Sequence, residues 1–214
     1  MGKASNKKKT AKLLRNTDRV RYPEDEAEHP WLSALLDAYQ IQDTGIAIEL
    51  EEEKRKRGVK LGCRRGCGTY CQRPTVPVTE VEISGIAWYI TKIAPQDIRE
   101  AIKKEIINGG KSLKCPFNIE GVCRIYPVRP IACRLLYVFG EPCTPGLDIQ
   151  AARGKDIWAH SRDLGRRITF ALLPLYGITG AREMSEAFDN GFLAEQTGSM
   201  LQQPWDNLCN ISNG

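Results

Sequence analysis

No stretch of this 214-residue chain is apolar over the roughly 18 to 20 residues that a membrane span needs, and its first residues lack the apolar core of a secretory signal. These absences lead to the expectation of a cytoplasmic protein without a membrane partner. Histidine is scarce: His29 and His160 are the only two, and neither lies near a cysteine in sequence, so imidazole ligation has little to draw on. His160, in DIWAHSRDLGRR, is expected inside a helix. A glycine-rich nucleotide fingerprint is missing as well, because GITG at 177–180 follows no strand and lacks the spacing. The strand and helix alternation of a barrel is also absent. The start MGKASN misses the myristoylation pattern, since Asn6 stands where Ser or Thr is required.

The chain carries a formal +5, and its location matters more than its size. Eight basic residues, Lys3, Lys7, Lys8, Lys9, Lys12, Arg15, Arg19 and Arg21, face only Asp18 before residue 22, so residues 1–21 hold +7 and the remainder −2. Residues 1–28 therefore read as a basic, disordered tail, and nucleic acid is a partner only through that tail. With 42% hydrophobic residues, the rest can bury a core without covalent staples.

Cysteine is abundant and grouped. Cys63, Cys67 and Cys71 lie in GCRRGCGTYC, and Cys115, Cys123 and Cys133 in CPFNIEGVCRIYPVRPIACR, so six of the eight cysteines fall in two clusters. In a reducing compartment such clusters are more often metal ligands than disulfides. Gly62, Gly66 and Gly68 make the first cluster a loop that folds closely around something. In the second, Pro130 is placed to start a helix, PIACRLLYVF, closed by Gly140. Cys133 would then sit in its first turn, where the helix dipole lowers a thiol's pKa. Arg64, Arg65, Arg124, Arg129 and Arg134 adjoin cysteines, and positive charge there would offset that of several thiolates.

Between and around the clusters the pattern is helical. One helix is expected from Pro30 with Trp31, Leu32, Leu35, Leu36 and Tyr39, and a second after Thr44 and Gly45, ending in ELEEEKRKRG with i,i+4 pairs Glu51–Arg55, Glu52–Lys56 and Glu53–Arg57. Thr79 and Glu82 form a capping-box pattern, Pro95 starts another helix, and the two helices could fold back to bring Cys71 towards Cys115. Ile157 to Leu173 form an amphipathic stripe interrupted by Pro174 and Gly177, followed by a shorter helix near 181–188. Cys209, in a polar end, is expected to be a free thiol.

The GC..GC...C run at Cys63, Cys67 and Cys71, the V.VT..E stretch at Val76 to Glu82, and CPF...G.CRIYPVRP..CR from Cys115 to Arg134 resemble the cysteine-cluster proteins of the YkgJ type. That family is described as having a zinc- or iron-chelating domain, and it is distantly similar to flagellin lysine N-methylases. The resemblance covers about residues 61–140 and implies a metal site. The family usually ends its first motif with a Cys-Cys pair; here that pair is Tyr70-Cys71, and Cys143 is the nearest substitute. The spacing of Cys63, Cys67 and Cys71 is one residue longer than the CxxxCxxC of radical S-adenosylmethionine enzymes, which excludes that class.

Zinc usually takes two short knuckles, whereas Cys115, Cys123 and Cys133 are spread with seven and nine residues between neighbours. That spacing favours a larger object such as [4Fe–4S] over zinc, with zinc kept as the alternative. The expectation is a mainly α protein with an irregular cysteine-rich metal-binding lobe packed on helices: tail 1–28, helices 29–60, cysteine region 61–145 and helical region 146–214. Its metal ligands would be Cys63, Cys67, Cys71, Cys115, Cys123 and Cys133, with Arg129 and Arg134 as cofactor-binding residues. Two roles stay open: a redox or methyltransferase-like modifying enzyme acting on an unnamed substrate, a protein among the candidates, or a zinc-binding interaction module without catalysis.

Overall fold

A computed structural model describes residues 18–63, 71, 76–108, 114–144 and 147–209. In chain order its elements are α1 (Pro23–Glu28), α2 (Pro30–Arg57), β1 (Pro77–Thr79), α3 (Glu80–Trp88) continued by a π-helical turn Tyr89–Ile93, and α4 (Gln96–Asn108). Then follow β2 (Asn118–Ile119), β3 (Val122–Cys123), a 3-10 turn Tyr126–Val128, α5 (Ile131–Arg134) and α6 (Ile149–Arg153). The chain ends with α7 (Arg162–Leu172), α8 (Ala181–Asp189), α9 (Phe192–Glu195), β4 (Thr197–Ser199) and α10 (Trp205–Leu208). The protein is mainly α, and among the described residues the strands form only small pairs. No helix among the described residues is long and apolar enough to cross a membrane. The chain divides into two compact units, residues 1–60 with 158–193 and residues 61–157 with 194–214.

In the first unit α2 is one 28-residue helix rather than two. Gly45 does not break it, because the glycine is a place of close approach: a Cβ there would lie 2.2 Å from Leu164 Cδ1 of α7. Leu32, Leu35, Leu36, Tyr39 and Ile46 of α2 are buried, as are Leu164, Ile168 and Leu172 of α7. Gly58, at φ 68, closes α2 in the left-handed conformation. Of the expected charge pairs, Glu53 and Arg57 meet at 2.7 Å, whereas Arg55 donates to the Glu51 carbonyl and Lys56 leans on Glu53. Ser161 caps α7 by accepting the Leu164 N–H at 3.0 Å, and Glu49 accepts both the Ser161 N–H and its hydroxyl. The helix thus begins after His160, which precedes it instead of lying within it as the sequence pattern predicted.

Residues 1–17 of the expected tail lie outside the described residues, but Pro23–Glu28 is a helix with Pro at its first turn. Arg19, counted in sequence among the tail's charges, pairs with Glu26 at 2.8 Å, with Asp37, and with the Ser33 carbonyl at 3.0 Å.

In the second unit β1 and β4 pair antiparallel, with Val78 opposite Gly198, and β2 and β3 form a hairpin in which Asn118 faces Cys123. Its turn needs two left-handed residues, Glu120 at φ 53 and Gly121 at φ 78. Val78, Ile86, Ile102, Phe117, Ile125, Val138, Phe139 and Met200 form its core. The Trp205 ring stands edge-on to Phe117 at 5.0 Å, and its Nε1–H donates to the Met200 carbonyl at 2.8 Å. The long helix expected from Pro130 to Gly140 does not form. It stops at Arg134, because Val138 and Phe139 are taken into β-bridges with Ile157 and Leu61, where both are fully buried. Arg153 clamps that bridge strand by donating to the carbonyls of Phe139 and Glu141 at 2.7 and 2.6 Å.

Candidate metal centre

Three loops, one hairpin and one turn of helix bring thiols to a single place in the second unit. Cys63 follows the bridge at Leu61, where Gly62 passes so near Glu141 that a Cβ would meet its carbonyl oxygen at 2.5 Å. That contact explains a glycine beside the first cysteine. The Cys115 N–H donates to the Cys71 carbonyl at 3.0 Å, so the two clusters meet through main chain. Cys123 ends the hairpin and Cys133 lies within α5. Cys63, Cys71, Cys115, Cys123, Cys133 and Cys143 all line one partly open hollow of about 130 Å3, with Arg129, Tyr126, Val138 and Met200 among its other walls. Cys67, Arg64 and Arg65, and the Gly66 and Gly68 of the predicted loop, lie outside the described residues. Cys143, foreseen only as a substitute for the thiol missing at Tyr70, shares the hollow with the predicted cysteines. Cys209 does not line it; it is 7% exposed, and burial pushes its thiol up to about 11.

No disulfide joins any two of the seven described cysteines. Among the described residues no set of three or more Cys, His, Asp or Glu side chains forms a group that could hold a metal ion as it stands. The donor set nevertheless suits a thiolate-bound metal. The Val138 N–H donates to Cys63 Sγ at 3.2 Å, the Phe117 N–H to the Cys115 sulfur, and the Ile125 N–H to the Cys123 sulfur. In the last two cases the donor sits two residues after the cysteine, and each such bond favours the anionic form of sulfur.

The electrostatics are those of crowded, buried thiols. Hydrogen bonding between Cys71 and Cys115 holds Cys71 down and Cys115 up, so of the two sulfurs that of Cys71 ionises first. Burial pushes Cys123 up to about 11, while the cations of Arg129 and Arg134 pull it down. Cys133 was predicted to have a lowered pKa. It is raised instead, first by burial and then by the charges of Cys71, Cys123 and Glu82, against which Arg129 acts. A single helical turn is too short a dipole to outweigh that desolvation. A metal arriving here has to displace protons.

The two arginines differ in placement. Arg129, 9% exposed, lines the hollow and lays its guanidinium 3.7 Å from the Tyr126 ring centroid. Arg134, 2% exposed, donates to the carbonyls of Arg129 and Pro127 at 2.9 and 2.6 Å and so braces the YPVRP turn. Glu82 is the residue whose part sequence reasoning understated. The capping box with Thr79 forms as predicted, but Glu82 also accepts the Ile131 N–H at 2.7 Å. The local pattern T..E reveals the first contact; nothing local could reveal the second.

Residues 62–145 match the CxxCxxCC family model, described as "Putative zinc- or iron-chelating domain". No curated protein and no solved structure matches the chain. Metal binding is thus the coarse function of the region that holds the hollow, with zinc or iron as its metal.

Proposed function

With residues 62–145 carrying a zinc- or iron-chelating domain, we propose that the second unit holds an iron–sulfur cluster through thiolates drawn from Cys63, Cys67, Cys71, Cys115, Cys123, Cys133 and Cys143. The observation that carries this is the convergence of six cysteines on one hollow of about 130 Å3. That volume is about ten times the roughly 10–15 Å3 that one water requires. A lone zinc ion draws four sulfurs to about 2.3 Å and leaves no comparable space. Seven thiols also exceed the four that one zinc or one cluster takes, so some of them stand beside the ligands and not among them.

Bound there, a cluster would supply one-electron transfer or Lewis-acid activation for a redox or modification reaction. The chain's own contribution is to hold the thiolates and moderate their charge. Backbone N–H groups of Phe117, Ile125 and Val138 donate to sulfur, and Arg129 and Arg134 place positive charge beside Cys123. Tyr126, half exposed at the mouth, and Arg129 on the wall would be the first groups to meet an anionic substrate. The second reading is a zinc-knit interaction module without catalysis. It is favoured by the brevity of the elements around the hollow: a hairpin of two-residue strands and a four-residue helix are what a structural metal would tie together.

Anaerobic purification followed by metal analysis and absorption spectroscopy separates the two. Iron with acid-labile sulfide and a broad band near about 400 nm is the expected result. Zinc alone would establish the second reading, and disulfides without metal would end both.

A further inference from the structure

The helix α5, which carries Cys133, is only four residues long. A first helical turn fixes several dihedrals for a single hydrogen bond, so such a segment does not hold its own shape. Its N-cap residue, Pro130, makes no side-chain capping bond. The cap comes from elsewhere: the Ile131 N–H donates to Glu82 Oε1 at 2.7 Å across 49 positions of sequence. The other oxygen of the same carboxylate accepts the Thr79 N–H at 2.9 Å and the Thr79 hydroxyl at 2.8 Å.

Glu82 is 2% exposed, an expensive place for a carboxylate. Burial pushes its carboxyl up, while its bonds to Ile131 and Thr79 and the cation of Arg134 oppose that rise. Three donors converge on its two oxygens, which suits the ionised group, an acceptor only. A capping box needs just the Thr79 side of this arrangement and works at a protein surface. The second oxygen is surplus to capping α3, and its partner is the first amide of the turn that presents Cys133.

We propose that Glu82 is a positioning residue of the metal site: its carboxylate caps α5 from a distant part of the chain and sets where the Cys133 sulfur stands. This rests on Cys133 being a ligand, as proposed above. Burying Glu82 at the joint between α3 and α5 makes the two sequence motifs, VPVTEVE and YPVRPIACR, one device. Arg134 completes it from the other end of the turn by holding the carbonyls of Pro127 and Arg129.

Two variants test the contact from both sides. Ile131→Pro removes the one N–H and leaves Glu82 and its capping box untouched; proline suits a first helical position, and Pro130 already has the extended ψ of 155 that a following proline requires. Glu82→Gln keeps the size and removes the charge. Ile131→Ala controls for the lost side chain. Zinc affinity is measured by competition with a chelator, and the number of coordinating thiolates by the sulfur-to-metal charge-transfer band of the cobalt(II)-loaded protein. Ile131→Pro and Glu82→Gln are expected to bind zinc about 10- to 100-fold more weakly than wild type. Both should lose part of the cobalt band, while Ile131→Ala keeps it. Wild-type affinity and band in both variants would overturn the proposal. So would tighter binding by Glu82→Gln, because removing a negative charge beside Cys133 eases ionisation of that thiol, and only a lost position can weaken the site. Full affinity in Cys133→Ser would instead overturn the assignment of Cys133 as a ligand, and the proposal with it.

Discussion

In the first unit Gly45 lets two helices come close enough for Leu164 to lie where a Cβ would have been, and the leucines of α2 and α7 are buried, while the directed bonds from Ser161 to Glu49 lie at the exposed edge of the pair. In the second unit, elements of two to five residues surround the thiols, and the bonds that hold them run from buried or half-buried charged side chains to loop carbonyls and amides: Glu82 to Ile131, Arg134 to Pro127 and Arg129, and the half-buried Arg153 to Phe139 and Glu141. Apolar packing tolerates small shifts because it has no preferred direction. Hydrogen bonds to buried charges do not, and one left unmatched costs the full desolvation of its partner. The first unit is therefore built for stability, and the second for placing particular atoms.

The largest expected break in this contrast is metal removal. A structural metal contributes about 10–16 kcal/mol, as much as the roughly 5–15 kcal/mol of a whole domain's stability. Chelation, or replacement of Cys123 and Cys133 together by serine, should expose the amides of 114–144 to hydrogen exchange while those of α2 and α7 stay protected. Equal loss of protection in both units would refute the division. Overpacking the helical unit comes next. Gly45→Val places two methyl groups where Leu164 already stands, and a cost of about 1–3 kcal/mol should appear as a lower melting temperature with unchanged metal content. A fall in bound metal would show that the units are not independent.

A smaller effect concerns Glu26. Its carboxyl is held at about 2, below the usual carboxylate range, first by its hydrogen bond from Arg19. Stability from that pair is therefore complete above the ordinary carboxylate pKa and is lost as pH falls through about 2. The pair is partly solvated, so Glu26→Gln should cost about 1 kcal/mol or less at pH 7, with the gap closing towards pH 2. A gap that persists unchanged at pH 2 would assign the loss to packing. The smallest effect on metal is expected for Cys209→Ser: a slight destabilisation from a buried hydroxyl, with full metal content on elemental analysis. Reduced metal there would place the C-terminal thiol in the site.

The amino-acid sequence by itself determined whatever local physics controls. The capping box of Thr79 and Glu82, the left-handed stop at Gly58, the 3-10 interruption after Leu172 and the mainly α character follow from neighbours within a turn or two, where propensity and capping act. The grouped thiols and their motifs also marked the metal-binding region. Elsewhere the sequence pattern misled for one recurring reason, competition from distant partners. Gly45 stays helical because Leu164 fills its missing Cβ; LLYVF leaves the helix because Leu61 and Ile157 offer bridges; and the Cys133 thiol rises because burial outweighs one turn of dipole. The gathering of Cys143 with five other thiols, and the reach of Glu82 across 49 positions to Ile131, likewise required the folded chain. A residue's local pattern specifies which bonds it can make, but only tertiary structure decides which partner is close enough to receive them.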